Sequence, residues 1–105
     1  HAARWGGEEF SLIIKDVDET TAVEIFERIR KQVASADMSH IASGVKVTLS
    51  VGIKQCDDPD NYHRTLVLAD QALYHAKASG RNKVQLWRPD LSSTNIPYVS
   101  SVRKS

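Results

Sequence analysis

The sequence predicts an α+β fold, with two helices packed on one face of a small sheet. Three observations carry this. Residues 45 to 53 alternate strictly between apolar and polar side chains, the period of a strand with one buried face. Two stretches, about 21 to 35 and about 61 to 79, repeat apolar side chains at steps of three and four, the period of a one-sided helix. Strand-prone segments stand before, between and after these stretches. The resulting order of hairpin, helix, strand, helix and strand is that of an α+β sandwich.

The first element contains Arg4-Trp5-Gly6-Gly7-Glu8-Glu9-Phe10 and then the strand-like run Ser11-Leu12-Ile13-Ile14. A Gly-Gly pair between strand-prone segments signals a hairpin turn, because glycine takes positive φ at no steric cost. Glu8 and Glu9 then share an exposed corner, where two like charges repel unless a cation or a proton neutralises one. A divalent metal suits that task, since hard cations take oxygen ligands. The glycines leave room for a bulky ligand to approach the backbone.

Residues 15 to 19 read as a polar loop. Thr21 and Glu24 have the spacing of a capping box, which starts the first helix near residue 21. Ala22, Ile25, Phe26, Ile29 and Val33 form its apolar stripe. Residues 36 to 44 form a loop ending at Gly44. In the next strand Val45, Val47, Leu49, Val51 and Ile53 share one face, and Lys46, Thr48, Ser50 and Gly52 the other. Gly52 removes a side chain from the polar face, which signals the close approach of another element.

Asp57-Asp58-Pro59-Asp60 is a turn. Tyr62, Leu66, Ala69, Leu73 and Ala76 make the seam of the second helix, and Gly80 stands where a helix C-cap is expected. Val84-Gln85-Leu86-Trp87 is a short last strand. The domain is expected over residues 1–88. Residues 89–105, with two prolines and five serines, show neither period and are expected to form a flexible tail.

Composition bounds the rest. The 105 residues suffice for one small domain, and 41% hydrophobic with 26% charged residues is ordinary for a globular protein. A net charge of +1 gives no electrostatic case for nucleic acid or a membrane surface. No apolar run approaches the roughly 20 residues of a membrane-spanning helix. The single cysteine, Cys56, has no partner for an internal disulfide and reads as an ordinary residue at a strand end. His1, His40, His63 and His75 show no metal-ligand spacing and read as surface or boundary residues.

The segment Gly6-Gly7-Glu8-Glu9-Phe10 resembles the signature of the GGDEF domain, the catalytic module of bacterial diguanylate cyclases. Two further stretches strengthen the resemblance. Val47 to Ile53 is similar to the family's following core strand. Ala69 to Lys77 with Gly80-Arg81-Asn82 is similar to its last helix and the turn after it. The resemblance covers about residues 3 to 87. It implies the ferredoxin-like palm of nucleotidyl cyclases, here its C-terminal portion, with an antiparallel-containing sheet and helices packed on it. The family's first strand and two helices precede the signature, so the chain is expected to be part of a longer protein. That first strand is central, and without it the sheet is expected to have a vacant slot and marginal stability unless the gap closes by rearrangement or dimerisation.

The activity implied by the resemblance joins two GTP molecules into cyclic di-GMP and releases pyrophosphate. Glu8 is then the metal-ligand carboxylate near the attacking hydroxyl, and Glu9 the second acidic residue, assisting metal or base. Gly6 and Gly7 let the nucleotide lie against the hairpin. Lys77 and Arg81 contact phosphates, although two cations at a helix C-terminus are favourable in any case. Asp70 and Asn82 read as local structural residues. Arg28 aligns with an arginine of the family's inhibitory product site, while its position also suits a solvated helix cation. Mg2+, or Mn2+, is the implied cofactor. The implied partners are GTP, cyclic di-GMP, a second copy for catalysis and an upstream sensor domain. The implied location is the cytoplasm, whether or not the parent is membrane-anchored. The fragment alone is expected to be inactive, because the family's first metal aspartate lies upstream. The alternative is a non-catalytic regulatory domain that binds GTP or cyclic di-GMP.

Overall fold

The computed structural model describes residues 4–36 and 45–93. Its elements are β1 (Arg4–Ile14), α1 (Glu19–Ser35), β2 (Val45–Gln55), α2 (Tyr62–Ala78), β3 (Val84–Leu86) and a short 3-10 helix, Pro89–Ser93. The described strands form one sheet in the order β1-β2-β3. The α+β class and the order of elements are those the sequence predicts.

Four details differ. The first is the expected turn at Gly6-Gly7, which is absent because β1 runs straight through both glycines. The second is the pairing: β1 joins β2 in parallel along eleven positions, from Arg4 with Val45 to Ile14 with Gln55, and β2 joins β3 in parallel as well. No antiparallel pair occurs among the described residues, and β1 and β2 leave no vacant slot between them. Pairing with β2 along all eleven positions holds Gly6 and Gly7 extended, while the outer edge of β1 has no strand partner among the described residues.

The third difference concerns the helices, which cover opposite faces of the sheet. Leu49, Val51 and Ile53 form the buried centre of one face, and Val23, Phe26 and Val33 of α1 pack against them together with Leu12, Ile14, Val84 and Leu86. α2 lies on the other face. There a methyl group at Gly52 would overlap the Leu73 amide nitrogen and the Ala69 carbonyl oxygen, and would come within 2.7 Å of Leu73 Cα. The close approach read from Gly52 is therefore α2 itself, whose Ala69, Ala72, Leu73 and Ala76 are buried. Alternating strand geometry presents both β2 faces, and each recruits its own helix.

The fourth difference lies past residue 88. Pro89–Ser93 is helical, and Leu91 is 2% exposed within the α2-facing core. Residues 94–105, with Ile96, Tyr98 and Val99 of the expected tail, lie outside the described residues, as do His1 and residues 37–44 of the expected loop, His40 among them. We expect Leu91→Ala to cost about 2 kcal/mol, the low end for a buried leucine. A urea unfolding curve on the 105-residue chain checks this, and an unchanged midpoint would put Leu91 outside the cooperative unit.

Smaller shifts occur at the ends. α1 begins at Glu19 with Asp18 as N-cap; the Asp18 carboxylate accepts from Thr21 N at 3.1 Å, so Thr21 is the third helical residue and not the cap. Ile25 and Ile29 of the expected stripe are exposed, and Val23 packs inward instead. Asn61 caps α2 by accepting from Arg64 N at 3.1 Å. β2 ends at Gln55, and Cys56 N donates to Ile14 O at 2.8 Å, which places Cys56 at the strand end as expected. No helix among the described residues is long and apolar enough to cross a membrane.

Candidate functional site

Period two decides the site. Glu8 and Glu9 are neighbours in β1, so their side chains leave the sheet on opposite faces. Glu9 faces α2 and Glu8 faces α1. The expected corner carrying both carboxylates side by side is not formed.

On the α2 face the Glu9 side chain is 1% exposed and stands between two cations. Lys77 Nζ lies 2.9 Å from Oε1. Arg81 Nη1 donates to Oε2. A carboxylate this buried is tolerable only when paired, and here two positive charges share it. The repulsion expected between Glu8 and Glu9 is thus relieved by geometry on one side and by Lys77 and Arg81 on the other.

The end of α2 explains how Arg81 arrives there. Ser79 caps the helix, Gly80 N donates to Lys77 O at 3.3 Å and Arg81 N donates to Ala76 O at 2.9 Å. This pair of bonds is a Schellman motif with glycine at its left-handed position, where φ is +123°. Arg81 and Asn82 follow at φ +62° and +50°. Two successive non-glycine residues in that region are uncommon and strained, and they turn the chain back toward the sheet. Asn82 is fastened on both sides: its backbone N–H donates to Ser50 Oγ at 3.0 Å, and its side-chain oxygen accepts from Arg30 Nη1 at 3.0 Å. Arg30 also pairs with Glu27 at 2.6 Å.

Asp70 is buried and accepts a hydrogen bond from Ser11 Oγ, two positions beyond Glu9 on the same strand face. The supporting parts played by Asp70 and Asn82 agree with the sequence reading. Ser11, Ser50 and Arg30 were not singled out by the sequence. Ser50 was legible in principle, since it lies on the polar face of β2, and its register partner is Glu9.

On the α1 face Glu8 borders an open groove of about 410 Å³, lined otherwise by apolar side chains that include Phe10, Leu12, Phe26, Ile29 and Val47. Gly7 is open: a methyl group there would meet nothing within 4 Å. Arg28 is exposed on α1, as a solvated helix cation would be. His63 is exposed, and His75 is partly buried with its Nδ1 lacking a hydrogen-bond partner among the described residues.

Magnesium does not fit this donor set by itself. Among the described residues no three His, Cys, Asp or Glu side chains converge as metal ligands. Glu8 and Glu9 diverge, and both oxygens of Glu9 are engaged with cations. A magnesium ion demands near-octahedral oxygen coordination, so one carboxylate of this chain is not a site.

Comparison with known proteins bears on this arrangement. The family described as "Diguanylate cyclase, GGDEF domain" matches residues 1–83. The chain is 36% identical over 90 residues to diguanylate cyclase DosC of Escherichia coli, covering 84% of this chain and 19% of that protein. It is 35% identical over 97 residues to diguanylate cyclase A of Treponema denticola, covering 91% of this chain and 25% of the relative. It is 39% identical over 84 residues to the response regulator PleD of Caulobacter vibrioides, covering 77% and 18%. The chain therefore spans at most a quarter of the length of these relatives. No solved structure gives a significant match. With the signature on β1, the core strand β2 and the Lys77–Arg81 helix end in place, and with the family match running across all three, the chain belongs to the GGDEF domain family.

Proposed function

We propose that this chain is the signature-bearing part of a diguanylate cyclase domain, which condenses two GTP molecules into cyclic di-GMP and releases two pyrophosphates. The observation that carries the reading is the convergence of Lys77 and Arg81, from the end of α2, on the signature strand at Glu9. A triphosphate needs cations fixed in place, and arginine offers a planar fork for phosphate oxygens. Each 3′-hydroxyl attacks the α-phosphate of the other nucleotide: an O–P bond forms, the bond to the β-phosphate breaks, and the hydroxyl proton departs. Such a displacement rests on positioning and on electrostatic stabilisation.

In this reading Lys77 and Arg81 hold phosphates, and the open space at Gly7, with Gly6 beside it, lets the nucleotide approach the strand. Glu8 stands near the attacking hydroxyl. Two nucleotides reacting with each other require two such domains face to face, so the active form is a homodimer. Mg2+ or Mn2+ remains the expected cofactor of the complete domain, with Glu8 supplying one oxygen ligand and the others coming from outside the described residues. The 105-residue chain alone is expected to make no product, because the described residues assemble no metal site. Control by a sensor domain, a cytoplasmic location and product inhibition through Arg28 belong to the same reading of the complete protein.

The test is incubation of the complete protein carrying this chain with GTP and magnesium, with products separated by chromatography. Cyclic di-GMP with pyrophosphate is the expected result. No product, with GTP or cyclic di-GMP still bound, would make the domain a regulatory nucleotide-binding module instead.

A further inference from the structure

We propose that Glu9 is a positioning residue: it acts through Lys77 and Arg81, fixing both cations for phosphate contact, and touches neither substrate nor metal. This rests on the reading that Lys77 and Arg81 contact phosphate.

Burial and charge carry the inference. The Glu9 side chain is 1% exposed, against 21% for Lys77 and 54% for Arg81. Glu9 thus lies beneath the two cations and has no open path to a ligand of its own. Lys77 and Arg81 share the Glu9 carboxylate, and the half-exposed Arg81 still presents positive charge to an anion arriving from solvent. Arg81 offers five N–H donors, and Glu9 engages it through Nη1. Nε and Nη2 make no hydrogen bond among the described residues, and the side chain is half-exposed. The guanidinium is held from below and open above, as phosphate recognition needs.

The backbone gives Glu9 a second task. Arg81 sits at φ +62°, a conformation an arginine adopts only under restraint. The Schellman bond from its N–H and the ion pair to Glu9 are that restraint. Without the carboxylate, Lys77 and Arg81 would lose the counter-charge they share at the end of α2, and the long arginine side chain would swing into water. Preorganisation would be lost even though both cations remain.

A double-mutant cycle on the 105-residue chain tests this, with inorganic tripolyphosphate as the probe. Binding is followed by NMR titration at low ionic strength. In the native background Arg81→Ala is expected to weaken binding about tenfold, the weight of one charge-assisted hydrogen bond. In a Glu9→Gln background the same substitution is expected to cost less than about twofold, because Arg81 no longer has a fixed place. Equal losses in both backgrounds would overturn the positioning role and leave phosphate contact standing. No loss from either Arg81→Ala or Lys77→Met in the native background would overturn phosphate contact, and the positioning role with it.

A second measurement does not depend on how Glu9→Gln folds. In the native chain a guanidinium clamped on one side rotates slowly about its Cζ–Nε bond. Separate Arg81 Nη signals at low temperature are expected, and one averaged signal would overturn the clamp.

Discussion

Glu8→Gln in the complete protein is expected to lower cyclic di-GMP formation by at least about a hundredfold, the usual loss when a positioned acid–base group is removed. The geometry makes this substitution a clean probe. Glu8 leaves β1 on the α1 face, away from the ion cluster of Glu9, Lys77 and Arg81. Glutamine keeps the size and polarity of the side chain and removes only its charge and its ability to take a proton. The circular dichroism spectrum and melting of the 105-residue chain carrying the same substitution provide the control for the fold. Loss of product with an unchanged fold places Glu8 in the chemistry. Full activity would remove it from the reaction, and loss of fold would make it a structural residue. Glu8 and Glu9 are thus expected to fail differently: the first through the reaction, the second through the cations above it.

Gly52→Val is expected to be the most destabilising substitution in the sheet, by about 3 kcal/mol or more. The neighbours of the added carbon are backbone atoms of α2, namely the Leu73 amide nitrogen, the Ala69 carbonyl oxygen and Leu73 Cα. A flexible side chain could move aside; a helix backbone moves only as a body. α2 would have to retreat from β2 and break the packing of Ala69, Leu73 and Ala76, all buried against the sheet. Total stabilities of small domains are about 5–15 kcal/mol, so this is a large fraction. The melting temperature is expected to fall by on the order of 15 °C for a domain of this size. Gly7→Ala is the matched control, since its methyl group meets open space and should leave the melt where it is. A Gly52→Val melt within about 2 °C of the native chain would contradict the close packing of α2 on β2. The displacement also carries Lys77 and Arg81 away from Glu9, so phosphate binding should fall together with stability.

The reach of the sequence can be judged at particular residues. The alternation from Val45 to Ile53 marked β2 and its buried face without ambiguity, because period two has no helical counterpart over nine residues. Gly52 announced a close neighbour, and Gly80 announced a helix end; both follow from what only a missing Cβ permits. Gly6-Gly7 misled for the same reason. Glycine allows a turn but does not require one, and eleven pairings with β2 keep these two extended. Helix stripes located α1 and α2, while Ile25 and Ile29 show that a stripe wider than its contact leaves some members exposed. Leu91 was hidden among serines and prolines, where one apolar residue has no period to reveal it.

The sequence by itself determined the family, the core strand β2, the two helices and the set of charged residues worth naming. These are local matters of period, caps and motif order, and each is written within a few consecutive residues. Only the tertiary structure decided how those residues are shared out. Strand pleating sends Glu8 and Glu9 to opposite faces, α2 chooses the face that Gly52 leaves open, and three successive positive-φ residues turn Arg81 back onto Glu9. Each of these outcomes depends on partners far apart in the chain: Arg81 with Glu9, Ser11 with Asp70, Arg30 with Asn82. Pairing of that kind is settled by packing and charge in three dimensions.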